Sequence, residues 1–357
     1  MGQIKQDTDK ITKIAWTLML ASAQNKLDVP GEYLWNIPTS ADFDEIRGKS
    51  WGVYSSGNCI KDKQMIDYTN TVNLNKYLRD PWIVKKYEEY FPIWLNECPR
   101  FNFSGLDDFK YSCFSQGSQE YFLNFYMQHR EKRFRVLKGE YWWHMEVWKN
   151  LGLQWAYIED DDIKPNDVVI ISFPFARIGD EHPQQKNVID QCEKLGVPVM
   201  LDFIYLPNTT YDKLQIDLTP TCIESLSFSM SKTFPVANAR VAIRMTRKKM
   251  HDPMQISNDE NVSNRLASGL GFECMQNFKI DYMVSKYLEE QKHWCALLGL
   301  TPTKVVHFAF GDAYTQNGRS YKKRFFSDFN DQQNRYNLGP LFANKNLLHS
   351  LGYHDKI

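Results

Sequence analysis

One segment, residues 226–244, carries the side chains best suited to covalent chemistry. Lys232 directly follows an apolar run and is flanked by Ser229, Ser231 and Thr233. Open α/β sheets place their ligands at the carboxyl ends of strands. Partial desolvation there lowers the pKa of a lysine amine and makes it a nucleophile toward an aldehyde. A solvated lysine in a turn is the alternative.

A second reactive group lies about thirty residues earlier. Asp202 ends the apolar run 197–203, and Tyr205 follows it closely. A carboxylate in such a run destabilises the protein unless it meets a cation or a hydrogen-bond donor. On its own, this aspartate could equally be a helix cap or a loop residue.

The surrounding pattern predicts the elements that would position these groups. Short apolar runs alternate with helix-like stretches, which is typical of βαβ units around a parallel sheet. The helix candidate 183–195 has apolar residues at helical spacing and ends at Gly196, and another helix begins just after Gly117. The predicted strands are 134–137, 168–172, 197–203, 225–229 and 241–245.

The character of the chain changes beyond about residue 265, where a long amphipathic segment, 280–298, leads into a polar, aromatic-rich tail. We therefore expect a large domain over 51–265 and a smaller one over 266–357. Residues 1–50 would be an N-terminal segment joining the small domain.

Composition excludes several classes of function. The 43 Lys and Arg residues balance the 43 Asp and Glu residues, and no basic stripe suggests a nucleic-acid partner. No apolar run approaches the roughly 20 residues that cross a bilayer. The first residues lack a secretory signal, and the seven cysteines are widely spaced, which indicates reduced thiols in the cytoplasm.

Several common cofactor sites are also excluded. The sequence has no phosphate loop of the Gly-x-x-x-x-Gly-Lys type. The pair Gly269 and Gly271 fails as a dinucleotide fingerprint because Cys274 takes the third glycine position. The spacing of the histidines and cysteines supports no metal site.

Taken together, the two reactive segments resemble the fold type I family of pyridoxal 5'-phosphate (PLP) enzymes, most closely the aspartate-aminotransferase-like class I/II aminotransferases. The resemblance implies that Lys232 forms a Schiff base with the cofactor, while Ser229 and Arg240 hold its phosphate. It also implies that Asp202 pairs with the pyridine nitrogen and that Tyr205 hydrogen-bonds the ring hydroxyl.

Three further matches follow in the order that the family has. Gln116, Gly117 and Ser118 resemble its phosphate loop, in which backbone amides at a helix N-terminus receive the phosphate. Tyr141 resembles the aromatic residue that stacks on the cofactor ring, although it could simply be a core residue. Arg335 resembles the arginine that clamps the substrate α-carboxylate, the alternative being an exposed surface arginine.

The resemblance implies a three-layer α/β/α large domain with a mostly parallel sheet, a smaller α+β domain, and a homodimer. One motif departs from the family pattern. Where the family has Asn-Pro-x-Gly, this chain reads Ser-Phe-Pro-Phe-Ala-Arg over 172–177, so that Ala176 or Phe175 replaces the asparagine. Either Arg177 substitutes for that donor, or the reaction differs from plain transamination.

The predicted function is therefore a PLP-dependent enzyme that acts on an amino acid, with transamination as the default reaction. A PLP-dependent lyase or cyclase is the alternative, motivated by the missing asparagine and by an N-terminal region in which Gly52, Tyr54 and Lys61 would line the substrate entrance. A non-catalytic binding module that kept the fold is a further alternative. The sequence does not specify the amino acid.

Overall fold

The computed structural model describes residues 59–298, 300–312, 315–316, 319–320, 333–339 and 342. The predicted N-terminal segment 1–50, and with it Gly52 and Tyr54, lies outside the described residues.

A sheet of seven strands forms the centre of the molecule, in the order β2-β9-β8-β6-β5-β3-β4. β9 is antiparallel to both of its neighbours, and the other pairings are parallel. The prediction of a mostly parallel sheet is therefore confirmed. Its strands are β2 (Tyr111–Ser115), β3 (Arg133–Val136), β4 (Trp155–Tyr157), β5 (Asp167–Ser172), β6 (Val199–Asp202), β8 (Ile223–Ser229) and β9 (Ala242–Thr246).

Helices precede, connect and follow these strands. No helix among the described residues is long and apolar enough to cross a membrane. The helices are α1 (Lys63–Thr71), α2 (Asn75–Leu78), α3 (Ile83–Asn96), α4 (Ser118–Gln128), α5 (Trp143–Leu151), α6 (Gln185–Leu195), α7 (Pro253–Asp259), α8 (Arg265–Asn277) and α9 (Tyr282–Leu298).

The interior strand β5 shows why both faces of the sheet must be covered by other elements. Val168 and Ile170 belong to one hydrophobic cluster, whereas Val169 and Ile171 belong to another. Successive side chains of a strand point to opposite faces. Every residue of β5 is buried, which is the pattern of a strand inside a parallel sheet rather than at a solvated surface.

The bounds that the sequence predicted for the main helices and strands lie within a few residues of the observed ones. The helix predicted over 183–195 begins instead at Gln185 and ends, as expected, at Gly196. Gly196 has a φ of 65°, a left-handed conformation that glycine adopts without strain. The strand predicted over 197–203 shortens to β6, because only Val199–Asp202 pairs with both neighbours.

The glycine pair of α8 has a packing role rather than a cofactor role. A Cβ at Gly271 would lie 2.6 Å from Cγ1 of Val241 and 2.7 Å from Cε2 of Tyr87, and a Cβ at Gly269 would clash with the Tyr77 ring. Glycine therefore lets α8 approach the neighbouring elements closely.

Smaller sheets complete the described chain. β10 (Thr301–Pro302), β11 (Phe308–Asp312) and β14 (Gln333–Asn337) form an antiparallel sheet in that order, beyond α9. Two further pairs are β1 (Phe101–Ser104) with β7 (Leu214–Asp217), and β12 (Thr315–Gln316) with β13 (Arg319–Ser320). The division into domains at residue 265 stays a prediction.

Candidate active site

The predicted reactive residues gather at the carboxyl ends of neighbouring strands. Asp202 is the last residue of β6 and pairs with Ser172 of β5 on one side and Ser227 of β8 on the other. Tyr205 follows β6 directly, and Lys232 lies in the turn after β8. Because these strands are parallel, their ends lie at the same edge of the sheet, as the sequence predicted.

Asp202 is a buried carboxyl group that receives two hydrogen bonds. The Tyr121 hydroxyl donates to it at 3.2 Å and the Ser227 hydroxyl at 3.0 Å, and Asp202 is only 3% exposed. Burial, together with the charge of Glu140, raises its pKa to about 7, although the hydrogen bonds from the two hydroxyl groups oppose this rise. No cation pairs with this carboxyl group among the described residues. The site therefore favours a cationic or proton-bearing ligand here.

Glu140 is a second buried carboxyl group, which sequence reasoning missed. Its oxygens accept hydrogen bonds from the backbone amide and hydroxyl of Ser172, at 2.8 and 2.7 Å, and from the Tyr141 amide at 2.8 Å. Burial raises its pKa. The signal available in the sequence was an acidic residue directly before a run of aromatic residues.

An anion cradle forms where Gly117 meets Arg240. Gly117 caps the N-terminus of α4 with a φ of 86°, and a Cβ at this position would overlap the Arg240 guanidinium, lying 2.6 Å from its Nε. The backbone amides of the first helical turn and the arginine therefore face one point. Ser118, the first residue of α4, is buried at this point.

Two other predicted phosphate ligands have contrasting surroundings. Ser229 is buried at the end of β8, and its hydroxyl bonds the Ser231 hydroxyl at 2.7 Å. Gln116 is exposed, and the Glu120 carboxylate already accepts its backbone N–H at 2.5 Å. Of the predicted loop, Gly117 and Ser118 are thus better placed than Gln116 to receive an anion through their amides.

Tyr141 lies half-buried between the aromatic cluster and the reactive groups. Its ring stacks on Trp143 with centroids 6.3 Å apart. Burial raises its pKa to about 12, and the charges of Tyr205, Arg240 and Asp202 also act on it. Tyr141 therefore packs against the aromatic core on one side and lies near Tyr205, Arg240 and Asp202 on the other, and its stacking on a cofactor ring stays a prediction.

Lys232 lies close to two buried groups from other parts of the chain. Its positive charge lowers the pKa of His307 and opposes the burial that raises the pKa of Cys59. Its own carbonyl oxygen accepts a hydrogen bond from the Asn208 side chain at 2.7 Å. The turn that holds Lys232 is thus tied to the short helical turn Leu206–Asn208, which follows Tyr205. Lys61, the described member of the predicted entrance, also acts on Cys59.

Arg335 reaches the site from β14 and is 5% exposed, so it is not a surface arginine. It donates hydrogen bonds to the Ala176 carbonyl and to Tyr205, and its Cζ lies 4.2 Å from the centre of the Phe308 ring. Burial lowers its pKa. A buried guanidinium at this edge supplies a binding point for an anion.

The residue that stands where the family has asparagine is neither Ala176 nor Phe175, the two that were predicted from the sequence. In that motif the asparagine immediately precedes the proline, and the residue before Pro174 is Phe173. Phe173 is buried, and its ring packs edge-on against Phe203 at 6.0 Å. It cannot donate a hydrogen bond. Arg177 is also buried nearby, and both burial and the charge of Arg335 lower its pKa to about 10.

Sequence reasoning also missed Tyr121, Ser227 and His307. The alternation of Ser225, Ser227 and Ser229 along β8 is a usable signal, since alternate residues share one face of a strand. His307 offered no such signal, because it is a single histidine within an apolar run.

No family model matches the sequence, and no curated protein matches it. Solved structures do match. An aminotransferase from Staphylococcus aureus is 10% identical, covering 83% of this chain and 92% of its own, with a TM-score of 0.61. A PLP-bound C–S lyase from Staphylococcus hominis is 13% identical, covering 75% and 81%, with a TM-score of 0.56. The histidinol-phosphate aminotransferase from Clostridium acetobutylicum is 13% identical, covering 85% and 99%, also at 0.56.

The chain has the fold of the fold type I PLP enzymes. That resemblance, drawn from motifs in the sequence, is confirmed at the level of the fold. Within this fold type I architecture, the matched structures include both aminotransferases and a lyase. At such low identity the common fold does not distinguish between the two reactions.

Proposed function

We propose that this chain is a PLP-dependent enzyme that acts on an amino acid, most simply as an aminotransferase. The observation that carries the proposal is that Lys232, in the turn after β8, and the buried Asp202 carboxyl, at the end of the neighbouring strand β6, lie at the same edge of the sheet. An amine able to bind an aldehyde and a carboxyl able to bind a ring cation would then serve the two functional groups of one cofactor.

The residues present fit PLP in three independent respects. The cradle of Gly117 and Arg240 suits a phosphate dianion, because amides and a guanidinium converge there. The raised pKa of Asp202 shows a carboxyl group that would gain from a cationic partner. The half-buried Tyr141 offers an aromatic face on the site side of the core.

PLP, when bound, supplies an electron sink for a bond broken at Cα of the amino acid. The chain's own groups would then divide the remaining work. Asp202 would hold the proton of the pyridine nitrogen, and Tyr205 would bond the ring hydroxyl. Arg335 would bind the substrate carboxylate, and Nζ of Lys232 would carry the proton that leaves Cα. Ser229, with Arg240, would hold the phosphate.

The cofactor proposal is tested by reconstitution. Purified protein incubated with PLP should develop a visible absorption band that borohydride shifts and fixes covalently. Lys232→Ala should lose the covalent attachment. Lys304→Ala is the matched control, because that side chain lies over the Tyr211 ring, with Nζ 5.3 Å from its centre. A wild-type protein that takes up no PLP would overturn the proposal.

The reaction type is a separate question, and Phe173 gives the lyase alternative a specific basis. With no donor at this position, the electron distribution of the bound cofactor should differ from that in enzymes with asparagine. A panel of amino acids with 2-oxoglutarate should yield 2-keto acids if the chain is a transaminase. Release of ammonia or a thiol without the amino acceptor would instead assign a lyase, and release of a cyclic product a cyclase.

The role of Arg335 is tested by kinetics. Arg335→Leu should raise the KM for the amino acid by one to two orders of magnitude, since a hydrogen-bonded ion pair with the carboxylate is lost. The affinity for PLP should change little. An unchanged KM would remove Arg335 from the substrate site.

We also propose that the chain forms a homodimer and works in the cytoplasm. The dimer follows from the resemblance to the fold type I family. The location follows from the seven widely spaced cysteines, all of them buried thiols. Sedimentation equilibrium tests the first proposal, and fractionation of cells tests the second.

A further inference from the structure

His307 is a buried histidine whose two ring nitrogens make no hydrogen bond within the described part of the chain. The residue is 0% exposed, and neither Nδ1 nor Nε2 has a hydrogen-bond partner among the described residues. His144 is buried to the same degree, but its Nδ1 bonds the Tyr126 hydroxyl. Buried polar groups without partners destabilise a fold, so one that persists calls for a ligand that would complete its bonding.

The surroundings of His307 place it inside the proposed substrate site. Its ring centre lies 4.3 Å from that of Phe308 and 6.1 Å from that of Tyr205. Arg335 lies against the same Phe308 ring, at 4.2 Å. The positive charges of Lys232 and Arg335 both act on the imidazole. His307 therefore lies within electrostatic range of both the amine proposed to bind cofactor and the guanidinium proposed to bind substrate.

The charge state of His307 decides which hydrogen bonds its ring can make. Burial, together with the charges of Lys232 and Arg335, lowers its pKa to about 3, so the ring is neutral at physiological pH. A neutral imidazole carries one N–H donor and one acceptor nitrogen. It can thus donate to an anion beside Arg335 without adding a third positive charge to a buried site.

We propose that His307 is a substrate-binding residue whose ring N–H donates to the α-carboxylate that Arg335 holds. The inference rests on the proposed function and adds to it a carboxylate ligand that no sequence motif indicated. It also explains why a buried polar side chain occupies an otherwise apolar run, from Val305 to Phe308.

The experiment compares two ligands of the PLP-loaded protein. 2-Aminoisobutyrate has an amino and a carboxylate group but no hydrogen on Cα, and isopropylamine has the amino group alone. Each is titrated spectrally against wild type, His307→Leu and His307→Gln. The Leu variant should bind 2-aminoisobutyrate about tenfold more weakly, the change expected for losing one hydrogen bond to a charged group. Its affinity for isopropylamine should not change, and the Gln variant should recover part of the loss.

A second measurement separates this role from a structural one. The melting temperature of the PLP-free His307→Leu protein should stay the same or rise, because no hydrogen bond is lost and two unpartnered atoms are removed. His129→Leu is the control, since the His129 ring bonds Glu224 at 2.7 Å, and its loss should lower the melting temperature with no effect on either ligand.

The outcomes distinguish the inference from the function on which it rests. A wild-type protein that shows no spectral response to PLP and both ligands overturns both. If the wild type responds normally but His307→Leu loses affinity equally for the two ligands, or for neither, only the inference is overturned. A lowered melting temperature without a selective loss of carboxylate binding would make His307 a structural residue, and would likewise overturn it.

Discussion

Replacing Asp202 by asparagine should make the PLP-free protein more stable at alkaline pH. Asparagine keeps an oxygen that can accept from Tyr121 and Ser227. It removes a buried group that must ionise as the pH rises. The opposite change, a loss of stability, would be expected if the carboxylate mainly served to hold the fold together.

The size of the effect follows from the pKa of Asp202, which burial raises from 3.8 to about 7. Between these two values the native state binds more protons than the unfolded state, so stability falls as the pH rises through this window. At 1.36 kcal/mol per pH unit, the ionisation of Asp202 lowers the free energy of unfolding by about 1.7 kcal/mol at pH 5 and by about 4 kcal/mol at pH 8. The asparagine variant avoids this loss of stability at both pH values.

Urea unfolding of PLP-free wild type and Asp202→Asn, from pH 5 to 8, measures the difference. Asp217→Asn is the control, because Asp217 is exposed and hydrogen bonds from Thr219 lower its pKa, so asparagine should bring no gain there. Added PLP should stabilise wild type more than Asp202→Asn, since the cofactor's ring cation would pair with the carboxylate. A variant that is no more stable than wild type at pH 8, or a difference that does not grow with pH, would refute the reasoning.

Three further changes have defined outcomes. Glu140→Gln should lower the pKa of Asp202, so that the decline in PLP-free stability in the same urea series ends at a lower pH and is smaller, because it removes a charge that opposes ionisation. Gly117→Ala should weaken PLP binding roughly tenfold in equilibrium dialysis, since its Cβ would meet the Arg240 guanidinium. Gly271→Val should lower the free energy of unfolding by about 1–3 kcal/mol, as measured by urea, because the packed α8 has no room for a side chain.

The sequence predicted the fold well because its signals were local. Apolar runs such as 168–172 mark buried strands, and Gly196 marks a helix end. The position of Lys232 and Asp202 at one edge of the sheet was predictable for the same reason, since each lies at the carboxyl end of a strand and the carboxyl ends of parallel strands share an edge.

The rest of the site depends on contacts between distant parts of the chain, which no local pattern records. Glu140 acts on Asp202 only because the turn before α5 reaches Ser172 at the end of β5, the strand beside β6. His307 comes near Arg335 because β11 pairs with β14, and near Lys232 because the segment before β11 packs against Tyr205. The sequence predicted that Ala176 or Phe175 replaces the family's asparagine. Because that asparagine directly precedes the proline, the residue in its place is Phe173.

The position of β2 at one edge of the sheet affects the order in which the protein can assemble. Among the described residues, β2 is the first strand of this sheet along the chain and β9 the last, and β2 pairs within the sheet only with β9. Their pairing sets Ser115 opposite Ala242, so Gly117 and Arg240 meet only when it forms. Contacts between remote segments form slowly because a long loop must close first. The anion cradle is therefore a late product of folding, and a nascent chain has no complete place for a phosphate until β9 has been made.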